Sequence, residues 1–518
     1  MGAVRACLMD THPYWWTSAP LPRFPKLARD LDVDVIIVGG GITGVTAAYL
    51  FKRAGRTVAL LERGHCAEAD TGHTTAHLTA LPDAGLQSLV ASFGPTTARA
   101  VWDAGVAAID QICRISEGEA IDCDFRWVPN YLHAKLDGPA ERDAQRLADE
   151  ARFARELDIR AVYHNAVPFF GLPGVEFPHQ ALFHPRRYIA GMLERIPGSG
   201  SHVFEMTEAD AFEADPLTVH VGPHRVRGEH LVLATHTPPK GIASTLGTTA
   251  FHSKLSWNST YVVGARIPAG KVPDASYYDT SDPYYYLRIE RHKGHDYAIF
   301  GGEDHKTGHE DDTRQRYARL EAMLKRYIPE AQVEHRWSGQ VIETNDGLPF
   351  IGESAPRQFI ATGFAGNGMT FGTLSAIMAV DAALKRPNPW EKLFAPGRKK
   401  VLGGLWDYVA QNKDYPYHLL RDRLVRGDAQ SPRDVPRGEG RILALDGKKV
   451  AVYCDESGQL TLLSPVCTHL QCIVNWNTAE RTWDCPCHGS RFRATGEVMS
   501  GPAQEPLEKL PVPAQVER

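Results

Sequence analysis

Four residues near the C-terminus constrain this chain of 518 residues more than any others: Cys467 and His469, then Cys485 and His488. They form a Cys-x-His pair and a Cys-x-x-His pair with fifteen residues between them. Two thiolates and two imidazoles suit a 2Fe-2S centre in which histidines replace two cysteines on one iron. The same four ligands could also hold structural zinc. Each pair carries one further cysteine, Cys472 and Cys487, which four-coordinate zinc does not need. Strands expected at Gly440–Leu445, Lys449–Cys454 and Leu460–Leu463, the first two joined by the hairpin signal Asp446-Gly447, put both pairs in a small β domain.

The stretch from Cys467 to Ser490 resembles the Rieske iron-sulfur domain, specifically the branch found in cytochrome bc-type complexes. The resemblance implies Cys467 and Cys485 as ligands of the buried iron, and His469 and His488 as ligands of the outer iron near the protein surface. It also implies a disulfide between Cys472 and Cys487 across one 2Fe-2S cluster. Ser490 stands where the family donates a hydrogen bond to a bridging sulfide, which favours the reduced cluster. Phe492 stands where high-potential members carry a tyrosine hydroxyl. Without that donor, the potential is expected below the top of the Rieske range of about −150 to +300 mV.

At the other end of the chain, the β-branched run Val33–Val38 reads as a buried parallel strand. It leads into Gly39-Gly40-Gly41-Ile42-Thr43-Gly44 and a helix over Val45–Gly55. Gly39 permits the tight turn, Gly41 lets the backbone approach a pyrophosphate, and Gly44 allows close packing of helix on strand. The helix N-terminus offers amides to the phosphates. A second strand, Thr57–Leu61, ends at Glu62, placed to accept from the adenosine ribose hydroxyls, with Arg63 beside it.

Which dinucleotide binds follows from later segments. Thr71, Thr74 and Thr75, in a loop that also holds His73 and His77, resemble the second flavin-contacting loop of the D-amino-acid oxidase-like superfamily of FAD enzymes. Trp337-Ser338-Gly339, Thr344–Gly352 and the turn carrying Gly363, Gly366, Asn367, Gly368, Met369 and Thr370 resemble its C-terminal flavin segment. The resemblance runs over about residues 32–385 and implies FAD, held noncovalently. No second Gly-x-Gly-x-x-Gly follows a strand, so no nicotinamide domain is expected and the hydride is expected to come from an organic substrate.

The fold expected is an α/β Rossmann-like FAD-binding domain with an inserted α+β substrate domain, followed by a small all-β Rieske domain. An aromatic and Pro-rich arm at 1–31 packs on the body. FAD-binding parts lie at 32–117, 181–249 and 331–385, and substrate-domain parts at 118–180 and 250–330. A helical segment (400–411) and linker at 386–439 lead to the Rieske domain at 440–518. A net charge of −5 gives no electrostatic case for nucleic acid, and no apolar run approaches a membrane span. Met1–Asp10 lacks a sustained apolar stretch, so no secretory signal and a cytoplasmic setting are expected.

Alternation puts Tyr284, Tyr286 and Arg288 on one face of a strand. In amine and amino-acid oxidases of the superfamily that face roofs the pocket above the flavin and can carry an arginine for a substrate carboxylate. The same pattern also describes a sheet edge with packed tyrosines and an exposed arginine. The acidic and His-rich stretch Glu303–Asp311 reads as a solvated loop or one that positions the Rieske domain. These features point to an FAD-dependent dehydrogenase that oxidises a small substrate at a C–N bond, an amine or amino acid. Its electrons would leave through the cluster to an external one-electron acceptor. A reductase fed by a ferredoxin-like donor and a non-catalytic redox sensor or electron carrier are the competing readings.

Overall fold

The computed structural model describes residues 12–83, 85–238, 251–252, 254–310, 312–398, 431–445 and 447–512. The helix expected at 400–411, the mixed-charge linker around it and Asp446 of the hairpin lie outside the described residues.

Strand Leu31–Val38 is the middle of an eight-stranded sheet, paired in parallel with Val58–Leu61 on one side and His224–Leu233 on the other. His202–Phe204 and Gln358–Thr362 extend the parallel order outward. Ile36 and Ile37 are fully buried, which is why this strand is a continuous apolar run. Helix Ile42–Arg53 starts at the glycine turn and crosses helix Gly368–Ala383 tightly: a Cβ on Gly372 would lie 2.8 Å from both Ile42 Cγ2 and Thr43 Oγ1. Helices Pro95–Gly118 and Arg314–Tyr327 each turn an apolar stripe to the core, with Val101, Ala108 and Ile112 of the first and Tyr317, Leu320 and Leu324 of the second buried.

A second sheet of nine strands gathers the strands expected in the substrate domain, with Leu255–Ile267, His295–Lys306, Tyr286–His292, Ser276–Asp279 and Arg126–His133 in consecutive positions. The domain boundary expected at 331 is displaced here. Strand Gln332–Thr344 pairs along its length with Leu255–Ile267 and so belongs to this sheet, although Gly339 faces the cofactor cavity. One long strand serves both walls. His77–Leu78, expected in the FAD-binding part, pairs with Gly174–Leu182 for the same reason.

The described part of the N-terminal arm packs as its aromatics require. Trp15 is fully buried, donates from Nε1 to the Thr74 carbonyl (2.6 Å) and lies 5.3 Å under the Arg288 guanidinium.

The C-terminal domain has two four-stranded antiparallel sheets around a core that includes Cys467, Trp483, Cys485 and Phe492. It is docked on the substrate sheet. Asn475 Nδ2 donates to the Gly308 carbonyl (2.8 Å), His309 Nε2 to the Pro486 carbonyl (2.9 Å), and Thr313 Oγ1 to Asn477 Oδ1 (2.8 Å). Gly308 and His309 of that acidic and His-rich stretch thus contact the Rieske domain. Among the described residues no helix is long and apolar enough to cross a membrane.

Candidate active site and cluster site

Residues of both large sheets and of the C-terminal domain line one cavity of about 360 Å³. Gly39, Gly41, Ile42 and Thr43 line it at the strand-to-helix turn, and Glu62 and Arg63 at the end of the next strand. Thr71, Thr74, Thr75 and Gly339 form another wall, and Gly366, Asn367, Gly368 and Met369 a third. Gly44, Gly363 and Thr370 lie behind these walls. A Cβ on Gly44 would stand 1.9 Å from the Gly39 carbonyl oxygen, one on Gly363 2.3 Å from Thr344 Cγ2, and Thr370 Oγ1 donates to the Thr79 carbonyl (3.1 Å).

The turn fits a dinucleotide. Gly39 has φ +106°, and a Cβ there would lie 2.3 Å from the Ala234 carbonyl oxygen. Gly41 caps the helix; the Ile42 amide donates to Thr71 Oγ1 (3.0 Å), and the first turn as a whole presents a positive dipole end to the cavity, where a pyrophosphate fits. Glu62 differs in detail from its expected role: its oxygens accept from the Gly40 and Gly64 amides (2.6 and 2.8 Å) as well as facing the cavity. Burial pushes its carboxyl up against the pull of those amides. Arg63 reaches across to donate to the Met499 carbonyl of the Rieske domain (3.0 Å).

Tyr284 and Tyr286 line the cavity, whereas Arg288 does not. Its guanidinium is fully buried and donates to the carbonyls of Thr75 (2.9 Å), Ala76 and Phe183 (3.1 Å) and to the Glu290 carboxylate. The expected carboxylate-binding arginine is thus a brace for the flavin loop, and neither the roof of the pocket nor an exposed edge. The strand begins at Tyr286, so Tyr284 precedes it and the three do not share one strand face; the carbonyls that Arg288 meets come from segments 213 and 105 residues away in the chain. Arg288→Met is expected to destabilise the fold by about 3–5 kcal/mol, because it leaves Glu290 buried without its main partner. Denaturant unfolding checks this, and a variant as stable as the parent would contradict it.

Residues that no motif identified line the cavity beside Tyr284 and Tyr286. Asp83 Oδ2 accepts from the Tyr284 hydroxyl (2.7 Å) and its Oδ1 from Asn367 Nδ2 (3.0 Å). Asp304 faces the same space beside Tyr286, whose hydroxyl pairs with Thr260 Oγ1 (2.7 Å). Burial, with Glu343 adding to it, pushes the carboxyls of Asp83 and Asp304 up to about 7 each.

At the cluster site Cys472 and Cys487 are joined by a disulfide (S–S 2.05 Å). The Cys467 and Cys485 thiols are hydrogen-bonded to each other, and the His469 and His488 rings stand 5.1 Å apart and nearly perpendicular. Amides of His469 and Leu470 point at the Cys467 sulfur, and those of Cys487 and His488 at Cys485. Ser490 is fully buried within hydrogen-bond reach of Cys467, with its oxygen accepting from the Ala503 amide (3.1 Å). Two paired thiols, two adjacent imidazoles and N–H donors aimed at sulfur fit a Rieske cluster. The histidines are not at the protein surface. His469 and His488 are 6% and 7% exposed because the flavin-bearing body covers them. His252 Nδ1 lies 3.3 Å from His469 Nε2, and the Trp257 ring packs edge-on to His488 at 5.9 Å. Gln340 joins the two sites: it lines the cavity, donates from Nε2 to the Gly489 carbonyl (2.7 Å) and accepts from Ser500 Oγ (3.0 Å).

A Rossmann-type cavity closed by a docked cluster domain defines an FAD-dependent oxidoreductase with a Rieske 2Fe-2S centre. Residues 34–382 match the FAD dependent oxidoreductase family and residues 427–511 the Rieske [2Fe-2S] domain, and the chain belongs to that oxidoreductase family. It is 32% identical over 502 residues to the Rieske 2Fe-2S iron-sulfur protein YhfW of Bacillus subtilis (strain 168), covering 96% of this chain and 97% of that one. A stretch of 120 residues is 38% identical to the cytochrome b6-f complex iron-sulfur subunit of Chlorobaculum thiosulfatiphilum, covering 21% of this chain and 64% of that subunit. Among solved structures, glycine oxidase from Geobacillus kaustophilus superposes with a TM-score of 0.60 at 16% identity, over 72% of this chain and all of that one.

Proposed function

We propose that this protein is a dehydrogenase that oxidises a small substrate at a C–N bond and passes the electrons through its Rieske centre to an external one-electron acceptor. One observation carries the reading: the cluster histidines are buried against the flavin-bearing body, and Gln340 touches both the cofactor cavity and the ligand loop. FAD bound in the cavity supplies a two-electron hydride acceptor and the cluster a one-electron carrier. The protein's own part is positioning. The glycine turn and the 366–369 segment hold the cofactor, Tyr284, Tyr286, Asp83 and Asp304 orient the substrate, and residues 499–504 of the Rieske domain complete the cavity wall. A flavin oxidase needs no such relay, since oxygen can react at the flavin directly. Phe492, fully buried beside the ligands, supports a moderate cluster potential. We place the activity in the cytoplasm, in keeping with the unpaired thiols of Cys66, Cys113, Cys123 and Cys454.

Anaerobic mixing with a panel of amines and amino acids, with flavin and cluster bands followed separately, tests this reading. The flavin band should bleach first and the cluster band follow. If no candidate bleaches the flavin while a reduced ferredoxin does, electrons run inward and the dehydrogenase reading fails.

FAD is held without a covalent bond in this reading. His73 Nδ1 bonds the Ala69 carbonyl (2.9 Å), His77 Nδ1 pairs with Thr75 Oγ1 (3.1 Å), and no cysteine occurs within 337–372. Acid precipitation should leave the yellow colour in the supernatant; colour in the pellet would show attachment.

A further inference from the structure

We propose that the substrate is a cationic amine without a carboxylate, recognised by Asp83 and Asp304. This rests on the dehydrogenase reading and goes beyond it by excluding amino acids as the preferred class.

The argument starts from charge. The end of the cavity beside Tyr284 and Tyr286 carries two carboxyl groups, Asp83 and Asp304, and Asp83 adds to the rise at Asp304. Among the described residues lining the cavity, the only lysine or arginine is Arg63, which lies beside Glu62 and is bonded to Met499. Arg288 is committed to backbone carbonyls and Glu290. His77 also faces the cavity, and burial together with Arg288 pushes its pKa down to about 3, so it adds no positive charge. A substrate carboxylate would meet two acids and no cation, so its charge would be buried without an ion-pair partner.

Hydrogen-bonding capacity gives the second, independent line. Asn130 lines the cavity at 1% exposure with its Oδ1 unpartnered, and Asp304 Oδ1 is likewise buried without a partner. Buried acceptors of this kind call for donors from the ligand. The tyrosine hydroxyls are already engaged, Tyr284 with Asp83 and Tyr286 with Thr260. An ammonium brings three N–H donors and no acceptor, which matches this set; a carboxylate brings only acceptors. Asp83 is held by Tyr284 and Asn367 beside Gly366, where a Cβ would lie 2.4 Å from its Oδ2. The ammonium nitrogen is thereby drawn to the glycine segment expected beside the flavin. One carboxylate can also take a proton from it: the N–H bond breaks, an O–H bond forms on the aspartate, and a neutral amine with a free lone pair remains.

The test uses the FAD-loaded, cluster-loaded protein under anaerobic conditions and two matched sets of probes. The sets are phenethylamine, phenylalanine and 3-phenylpropanoate, and propylamine, 2-aminobutyrate and butyrate. Binding is read by calorimetry and flavin absorbance perturbation, and turnover separately by flavin bleaching. At least one amine should bind at least about tenfold more tightly than its matched amino acid, and the acid alone more weakly still. The Asp83→Asn and Asp304→Asn double variant should lose at least about tenfold in amine affinity while retaining FAD. An amino acid that binds as tightly as its amine, or binding by neither amine, overturns the proposal. An amine that binds selectively without bleaching the flavin supports the recognition and counts against the dehydrogenase reading. An amino acid that binds more tightly and bleaches the flavin does the reverse.

Discussion

Replacing Gly489 with alanine is expected to slow reduction of the cluster by substrate while leaving reduction of the flavin nearly unchanged. Gly489 follows the ligand His488, has φ +62°, and presses on the flavin-bearing body: a Cβ there would lie 2.3 Å from Trp257 Cβ and 3.0 Å from Gln340 Nε2. Trp257 Cβ is anchored to its strand and cannot swing aside, so the ligand loop must lift. Lifting it breaks the Gln340 to Gly489 bond and draws His488 away from the Trp257 ring. A docking penalty of about 1–3 kcal/mol lowers the docked population, and with it intramolecular transfer, by about 5–150-fold. Gly308→Ala approaches the same contact from the opposite side, since its Cβ would meet Pro486 N at 2.8 Å and the Cys485 carbonyl carbon at 2.9 Å. Both variants should keep the cluster's absorption and electron paramagnetic resonance signals. Stopped-flow traces in which flavin and cluster bands bleach at parental rates in both would show that the docked face is not the electron route.

These contacts also show which parts of the molecule could be read in advance. Local features were legible because neighbours in sequence determine them. The run Val33–Val38 with its glycine turn folds into the expected strand and helix, and the strand Leu460–Leu463 lies where its pattern put it. The Cys and His spacing likewise pairs Cys467 with Cys485 and His469 with His488. What could not be read is set by long-range partners. Asp83 gains its role from Tyr284, 201 residues on, and from Asn367, 284 residues on. Arg288 loses its expected one to loop carbonyls. The histidines expected at the surface are covered only because Leu255–Ile267 and the 303–310 stretch form a platform for the second domain.

Gly44→Ala should strip the protein of FAD and leave its cluster in place. The helix bearing Gly44 rests directly on the end of strand Leu31–Val38, and an added methyl would stand 1.9 Å from the Gly39 carbonyl oxygen and 3.1 Å from its carbon. All of these atoms are backbone, so no side chain can rotate to make room. Nor can Gly39 retreat, because its own Cα already faces the Ala234 carbonyl too closely to accept a Cβ. The helix must shift, and overpacking of this kind costs about 1–3 kcal/mol even where side chains can adjust. The shift falls on the cradle itself, since Gly41, Ile42 and Thr43 form the first turn that faces the cavity. The cluster domain has its own core around Trp483 and Phe492, far along the chain from this turn, and should still assemble. Gly118→Ala, at a position with open space around it, is the matched control. The flavin-to-protein absorbance ratio after gel filtration, read beside the cluster's paramagnetic signal, decides the outcome. Stoichiometric flavin in Gly44→Ala would mean that the cofactor does not depend on this helix-to-strand contact.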